Sequence, residues 1–191
     1  LQPLFMIGTN GKLKDPVISL LNSAFNFDDN VMRQSYWIHY KAAKSGQMWF
    51  AITGNPTASV SGTTVYHDAN DHSDAEWLGL IAHEESHRQE ISKRGNFDFY
   101  VGYIGEGLRK SYKEINTEKT AYKYGADYST STDMMDQLLD YKSGIVMTIL
   151  KNESLNESQK ALQLGLVGKE FRLEKIINPN LAVCFIPSPL S

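Results

Sequence analysis

Apolar residues recur at helical spacing in several stretches of this chain and form short strand-like runs in others. Val17, Ile18, Leu20, Leu21 and Phe25 make one apolar face, and Asp15-Pro16 ahead of them signals a helix start, Asp as cap and Pro in the first turn. Asn26 to Asn30 reads as a turn. Val31 to Lys44, with Tyr36, Trp37, Ile38 and Tyr40, fits strand and helix equally. Met48 to Thr53 predicts a strand ended by Gly54-Asn55-Pro56, and Ser59 to Tyr66 predicts a second, with Gly62 at a bulge. A helix then runs from Asp74 to Arg94. Ser73 and Glu76 supply a capping box, Trp77 to Ala82 is apolar apart from Gly79, and no Pro or Gly interrupts Leu80 to Arg94. Gly95-Asn96 ends it, and the aromatic run Phe97 to Ile104 is expected to pack against it. Asn116 or Thr117 can cap a helix through Glu118, Ala121, Tyr122 and Tyr124. Asp133 to Asn152 predicts one long amphipathic helix on Met134, Leu138, Leu139, Tyr141, Ile145, Val146, Ile149 and Leu150. Ser154 and Glu157 form a capping box for another, with Ala161, Leu162, Leu164 and Leu166 apolar, and Leu181 to Ile186 is a candidate strand before Pro187 and Pro189.

Strands before and helices after the Asp74 helix predict an α+β fold: a small sheet packed on a central helix, followed by a helical C-terminal part. Residues 1–14, with Pro3, Gly8 and Gly11, read as a lead-in, and residues 15–191 as a single domain with a functional core over 48–128 and a helical scaffold over 131–168. A chain of 191 residues that is 41% hydrophobic suits one sizeable core. The net charge of −3, with no basic run, argues against a nucleic-acid partner. No stretch approaches a membrane span. Cys184 is the sole cysteine, which excludes an internal disulfide and a Cys-rich metal site, and it is expected to pack as a small apolar residue. The chain opens on Leu1 without a secretory leader and reads as a mature form or a domain cut from a longer parent polypeptide. Its Asn, Ser, Thr and Tyr content leans towards an exported bacterial protein.

The candidate chemistry lies in His83-Glu84-Glu85-Ser86-His87. Residues four apart share a helix face, so His83 and His87 can aim two imidazoles at one Zn²⁺, and Glu84 can take a proton from a water that the metal activates. Catalytic zinc sites use three protein ligands and keep one position open. Glu118 is the first choice for the third ligand, because the small Ala121 one turn on lets its helix come close. Asp98, Glu106 and Asp127 are reserves. Glu90 shares a helix with both histidines and brings no convergence from elsewhere. His39, His67 and His72 are weighed as further ligands but read as packed, capping or solvated residues. Tyr112, Tyr122 and Tyr124 are candidates to stabilise an oxyanion. Glu85 falls on the helix face opposite the histidines at about 100° per residue, and that face must be wet or offer it a partner. The preceding strand, Val60 to Tyr66, can pair with an extended peptide by strand addition. Glu84 and His87 also spell one half of a di-iron motif, but that chemistry needs a second E-x-x-H, and the chain has none.

The succession of strand Val60 to Tyr66, loop, H-E-x-x-H helix, tyrosine-rich segment and Tyr112-x-x-Ile115-x-x-Glu118-x-x-Ala121-Tyr122 resembles a known family. These are the compact gluzincin-type metallopeptidase domains of bacterial polymorphic toxins, repeat-rich surface proteins and extracellular contractile injection systems. The resemblance covers about residues 48 to 128. It implies a zincin-like fold, one zinc per chain held by His83, His87 and Glu118, and Glu84 as catalytic base. The implied activity is zinc-dependent endopeptidase action on a peptide or protein, either self-processing of the parent chain or action of a delivered effector. Gly79, Glu85 and Arg88 depart from the family's usual apolar residues. Glu85 and Arg88 motivate an alternative, a catalytically inactive zincin-like binding or assembly module.

Overall fold

Helix α4 (Asp74–Arg94) runs through the middle of the protein, with other elements packed on its several faces. The computed structural model describes residues 3–54, 56–69, 71–126 and 133–179. Ser73 Oγ accepts from the Glu76 N–H, and the Glu76 carboxylate accepts from the Ser73 N–H at 2.7 Å, so the capping box forms as read. From Trp77 to Gln89 every residue of α4 is buried. A helix buried on all sides must partner its polar side chains internally, and α4 carries His83, Glu84, Glu85, His87 and Arg88 there.

Ahead of α4 lies a three-stranded sheet in the order β1 (Tyr36–His39), β3 (Thr64–His67), β2 (Ala58–Ser61), with β3 parallel to β1 and antiparallel to β2. The segment Ser59 to Tyr66 is therefore a hairpin and not one bulged strand. Gly62, at φ +59°, begins the two-residue turn between Ser61 and Thr64. Strand β2 is one edge of the sheet. Its backbone bonds to β3 through Ser61 and Ser59, and Thr57 continues the alternation by accepting from the Asp68 N–H at 2.8 Å. The intervening residues Ala58 and Val60 thus turn their N–H and C=O groups outward.

Met48 to Thr53 is helical, within α3 (Lys44–Thr53), not a strand. Its buried positions are Gly46 and Phe50, four apart, and Phe50 stacks on Tyr40 at 4.3 Å, while Met48 and Ile52 stay exposed. The ambiguous stretch after the first turn divides into α2 (Asp29–Gln34), β1 and a 3₁₀ turn over Tyr40–Ala42. Asp28 caps α2 through the Asn30 N–H at 2.8 Å, so the turn read over Asn26 to Asn30 already contains a helix start.

The remaining elements are helical. Helix α1 (Asp15–Phe25) starts at Asp15-Pro16 with Lys14, not Asp15, in the cap position, and packs along α9 (Glu157–Ile177). After α4 come α5 (Asn96–Gly107) and α6 (Asn116–Tyr124). The single helix expected over Asp133 to Asn152 is two, α7 (Met134–Asp140) and α8 (Ile145–Lys151). Lys142, Ser143 and Gly144 at φ +46°, +59° and +79° break it. Asn156 and Gln159 cap α9 two residues later than the expected pair, because Ser154 Oγ donates to Asn152 Oδ1 instead. On α9 Leu164 is buried, whereas Leu162 and Leu166 are exposed. Met6, Ile7 and Leu13 of the lead-in join the same core as α1 and α4. Cys184 and the candidate strand Leu181 to Ile186 lie outside the described residues. The architecture is α+β, mostly helical with one small sheet, and no described helix is long and apolar enough to cross a membrane.

Candidate metal centre

One turn of α4 separates His83 from His87 and brings their Nε2 atoms to 3.2 Å. Glu118 closes the triangle from the first turn of α6, with Oε2 3.4 Å from His83 Nε2 and Oε1 3.5 Å from His87 Nε2. All three side chains are buried, and together they can hold a metal ion. Donors bonded to one ion at about 2.0–2.1 Å in tetrahedral array lie about 3.3 Å from one another. The observed separations fit that spacing.

Two close approaches place Glu118. Gly125, at the end of α6, lies so near the Gly79 backbone of α4 that any side chain at 125 would collide with the Gly79 carbonyl. The missing side chain at Gly125 thereby lets α6 reach the site. Ile115, not Asn116 or Thr117, occupies the cap position of α6, and its side chain makes no cap bond. The Glu106 carboxylate serves the helix start instead, accepting from the Asn116 N–H at 2.8 Å and from Asn116 Nδ2 at 3.0 Å.

The protons follow from these contacts. The Gly125 carbonyl can only accept, so at 3.3 Å it takes a bond from His83 Nδ1–H, which leaves the lone pair of the neutral ring on Nε2, facing the triangle. Glu118 Oε1 accepts from the Tyr103 hydroxyl at 2.9 Å, while Glu118 Oε2 and His87 Nδ1 have no hydrogen-bond partner. Buried acceptors converging this closely are costly unless a cation or proton joins them. Burial would raise the Glu118 carboxyl, but the His83 and His87 imidazoles crowded against it outweigh that and hold it well below the usual carboxylate range. Burial, and then the Glu118 charge, push the Tyr103 phenol up. Tyr103 therefore stays a donor and fixes one Glu118 oxygen. Tyr103→Phe should weaken metal binding about 10- to 100-fold, the usual effect of losing a bond to a ligand; competition with a chromogenic chelator measures it.

Glu84 stands beside the triangle. It is 4% exposed, Oε2 has no partner, and burial pushes its pKa up to about 7. Glu84, His87 and Glu118 line a cleft of about 630 Å³ bounded by β2, α3 and α5. Of the segment Val60 to Tyr66, Val60 and Ser61 belong to the edge strand. Thr64 to Tyr66 lie in β3, flanked on both sides and closed to strand addition.

The other candidates lie elsewhere. Asp98 is exposed, Glu106 is engaged with Asn116 and Lys110, and Glu90 pairs with Arg94 at 3.0 Å. Asp127 lies outside the described residues. His39 meets Asp68 at 3.0 Å, His72 lies against the Trp77 ring, and His67 is buried between Trp37 and Trp77, its pKa pulled down to about 4 by burial. Tyr122 packs edge-on to His83, Tyr124 packs on Phe25 and Phe27, and Tyr112 lines the cleft and bonds Tyr103. The sequence reading missed Tyr100 and Tyr103. Their only signal was a place in the aromatic run expected to pack on the central helix.

Glu85 and Arg88 have a packing role. Fully buried, Glu85 accepts from Ser35 Oγ at 2.9 Å and Trp37 Nε1 at 3.0 Å, and Arg88 donates to Ser35 Oγ at 3.3 Å and to the Gly62 carbonyl. The face opposite the histidines thus ties α4 to the start of β1 and to the hairpin turn. Glu85→Ala would strand Trp37 Nε1 and take the counter-charge from Arg88. We expect a loss of about 2–3 kcal/mol in urea denaturation, with metal content unchanged.

No protein-family model, curated protein or solved structure matches the chain.

Proposed function

We propose that this protein is a zinc-dependent endopeptidase with a zincin-like, gluzincin-type site. One observation carries the reading: three buried donors converge with an unpartnered carboxylate beside them, in a cleft bordered by a strand edge. Two imidazoles and one carboxylate form an established zinc set, with a position left for chemistry. His83, His87 and Glu118 would hold the zinc, which would supply Lewis acidity towards a carbonyl and a water.

The chain's own groups do the rest. Glu84 accepts a proton from the attacking water and returns it to the nitrogen that leaves, as water adds across the C–N bond to give a carboxylate and an amine. Tyr103, held by Tyr112, keeps Glu118 oriented. The outward N–H and C=O of Ala58 on β2 can pair with an extended main chain and hold it along the cleft. The inactive-module alternative drew on Glu85 and Arg88, whose bonds to Ser35, Trp37 and Gly62 account for them without loss of the site.

The test is elemental analysis after chelator-free purification, followed by incubation with a proteome-derived peptide library. About one zinc per chain and new peptide termini are expected. A chain that takes up no zinc, or a zinc-loaded chain that cuts no peptide and leaves its own parent polypeptide intact, would overturn the proposal.

A further inference from the structure

The cleft's walls carry a feature that the peptidase reading does not require. Ile52 of α3 and Ile104 of α5 both line it, yet they are 73% and 61% exposed. On α5 the exposed apolar residues Phe97, Val101, Ile104 and Leu108 fall at steps of four, three and four, a single stripe along the helix. On α3 Met48 and Ile52 are four apart and equally exposed. Ile52 and Ile104 therefore put exposed apolar surface on both walls of the cleft that Glu84 and His87 line. Beyond the metal-site residues the lining carries one charged side chain, Lys110, and Glu106 neutralises it at 3.0 Å. Exposed apolar side chains gathered on both walls of one cleft mark a binding site.

The occupant must satisfy two surfaces at once. Between the apolar walls lies β2, whose outward Ala58 groups are placed to pair with a main chain; Tyr100 already donates to the Val60 carbonyl at 2.9 Å. A lipid chain could fill the walls but offers no main-chain N–H. A polar peptide could pair with β2 but would leave the walls wet.

Resting on the peptidase reading, we infer that the cleft selects extended polypeptide segments rich in bulky apolar side chains, and that Ile52 and Ile104 set this selection. A side chain such as Phe, Leu or Met seats against the two isoleucines while its own backbone pairs with β2. Acidic and basic residues at that position are rejected, because they would lose water against apolar walls with no free counter-charge.

Zinc-loaded Glu84→Gln protein, which holds peptides without cutting them, is incubated with a proteome-derived peptide library, and the retained peptides are sequenced. Phe, Leu, Ile and Met should be enriched several-fold over the library. Ile52→Asp and Ile104→Asp in the same background should each weaken a retained peptide about 10-fold, the worth of part-burying one isoleucine, with zinc content unchanged. Ile104→Leu should preserve binding. Both isoleucines are exposed enough for these changes to leave the fold intact. Absence of retained peptides, retained peptides of library-average composition, or unchanged affinity in both Asp variants would overturn the inference. So would a concentration-dependent dimer dissolved by Ile104→Asp, which would assign the surface to a second copy. Cleavage by the zinc-loaded wild type separates the two readings. Apolar peptides bound but never cut would sink the peptidase and keep the selection; cuts without apolar enrichment would do the reverse.

Discussion

Glu84→Gln should lower kcat/KM for any peptide that the protein cuts about a thousandfold, the middle of the range for loss of a general base, and leave zinc bound. The substitution is nearly isosteric, so the burial of this side chain, 4% exposed, is preserved. The metal triangle is complete without Glu84, which predicts unchanged zinc content. An amide cannot take the proton of an attacking water, which predicts the loss of rate. Folding should not suffer. In the metal-free protein, burial raises the Glu84 pKa from 4.5 to about 7. The folded state therefore binds the proton more tightly than the unfolded one. Its stability falls as pH rises from 4.5 towards 7, and above that the cost is fully present, roughly 3 kcal/mol at most. The amide carries no such cost. The metal-free variant should be more stable than metal-free wild type at pH 8 and indistinguishable from it below pH 4. Full activity with zinc bound would remove Glu84 from the chemistry, and loss of zinc would recast it as part of the metal site.

What could be read from the sequence was local. The α4 helix announced itself through Ser73 and Glu76, three apart, and through the run that follows; His83 and His87 share a face for the same geometric reason. Glu118 was legible as a polar residue in the first turn of a helix with a small residue behind it. The rest depended on partners distant in sequence. Glu85 sat on the opposite face as the helical period requires, but Ser35 and Trp37 as its partners follow only from the packing of β1 on α4. The need for glycine at 125 follows only from the Gly79 backbone that lies against it. Met48 to Thr53 misled because its apolar residues face the cleft and solvent, and only Gly46 and Phe50 report the helical period. The hairpin hid behind a single glycine that serves a turn as readily as a bulge. Tyr103 was invisible among ten tyrosines, since nothing local ties a residue of α5 to a carboxylate on α6.

Glu118→Ala should weaken zinc binding about a thousandfold. Holding zinc in small protein sites is worth ~10–16 kcal/mol, and one ligand of three carries roughly a third of that. The variant isolates the ligand from the fold. Helix α6 stays anchored by the approach of Gly125 to Gly79 and by the Glu106 carboxylate at Asn116, neither of which involves the Glu118 side chain. Its removal takes away a carboxylate that the two imidazoles hold ionised and the acceptor of the Tyr103 hydroxyl, so the metal-free variant should unfold more readily than metal-free wild type near neutral pH. Zinc-dependent protection against heat should nearly vanish, because ligand binding raises stability only when its concentration exceeds the dissociation constant. Asp98→Asn and Glu106→Gln, away from the triangle, should keep their zinc. Zinc retained by Glu118→Ala but lost by Asp127→Asn would move the third ligand to the residue beyond α6. Zinc lost only in Glu118→Ala would fix the set as His83, His87 and Glu118, the two helices meeting at one ion because Gly125 lets α6 come against α4.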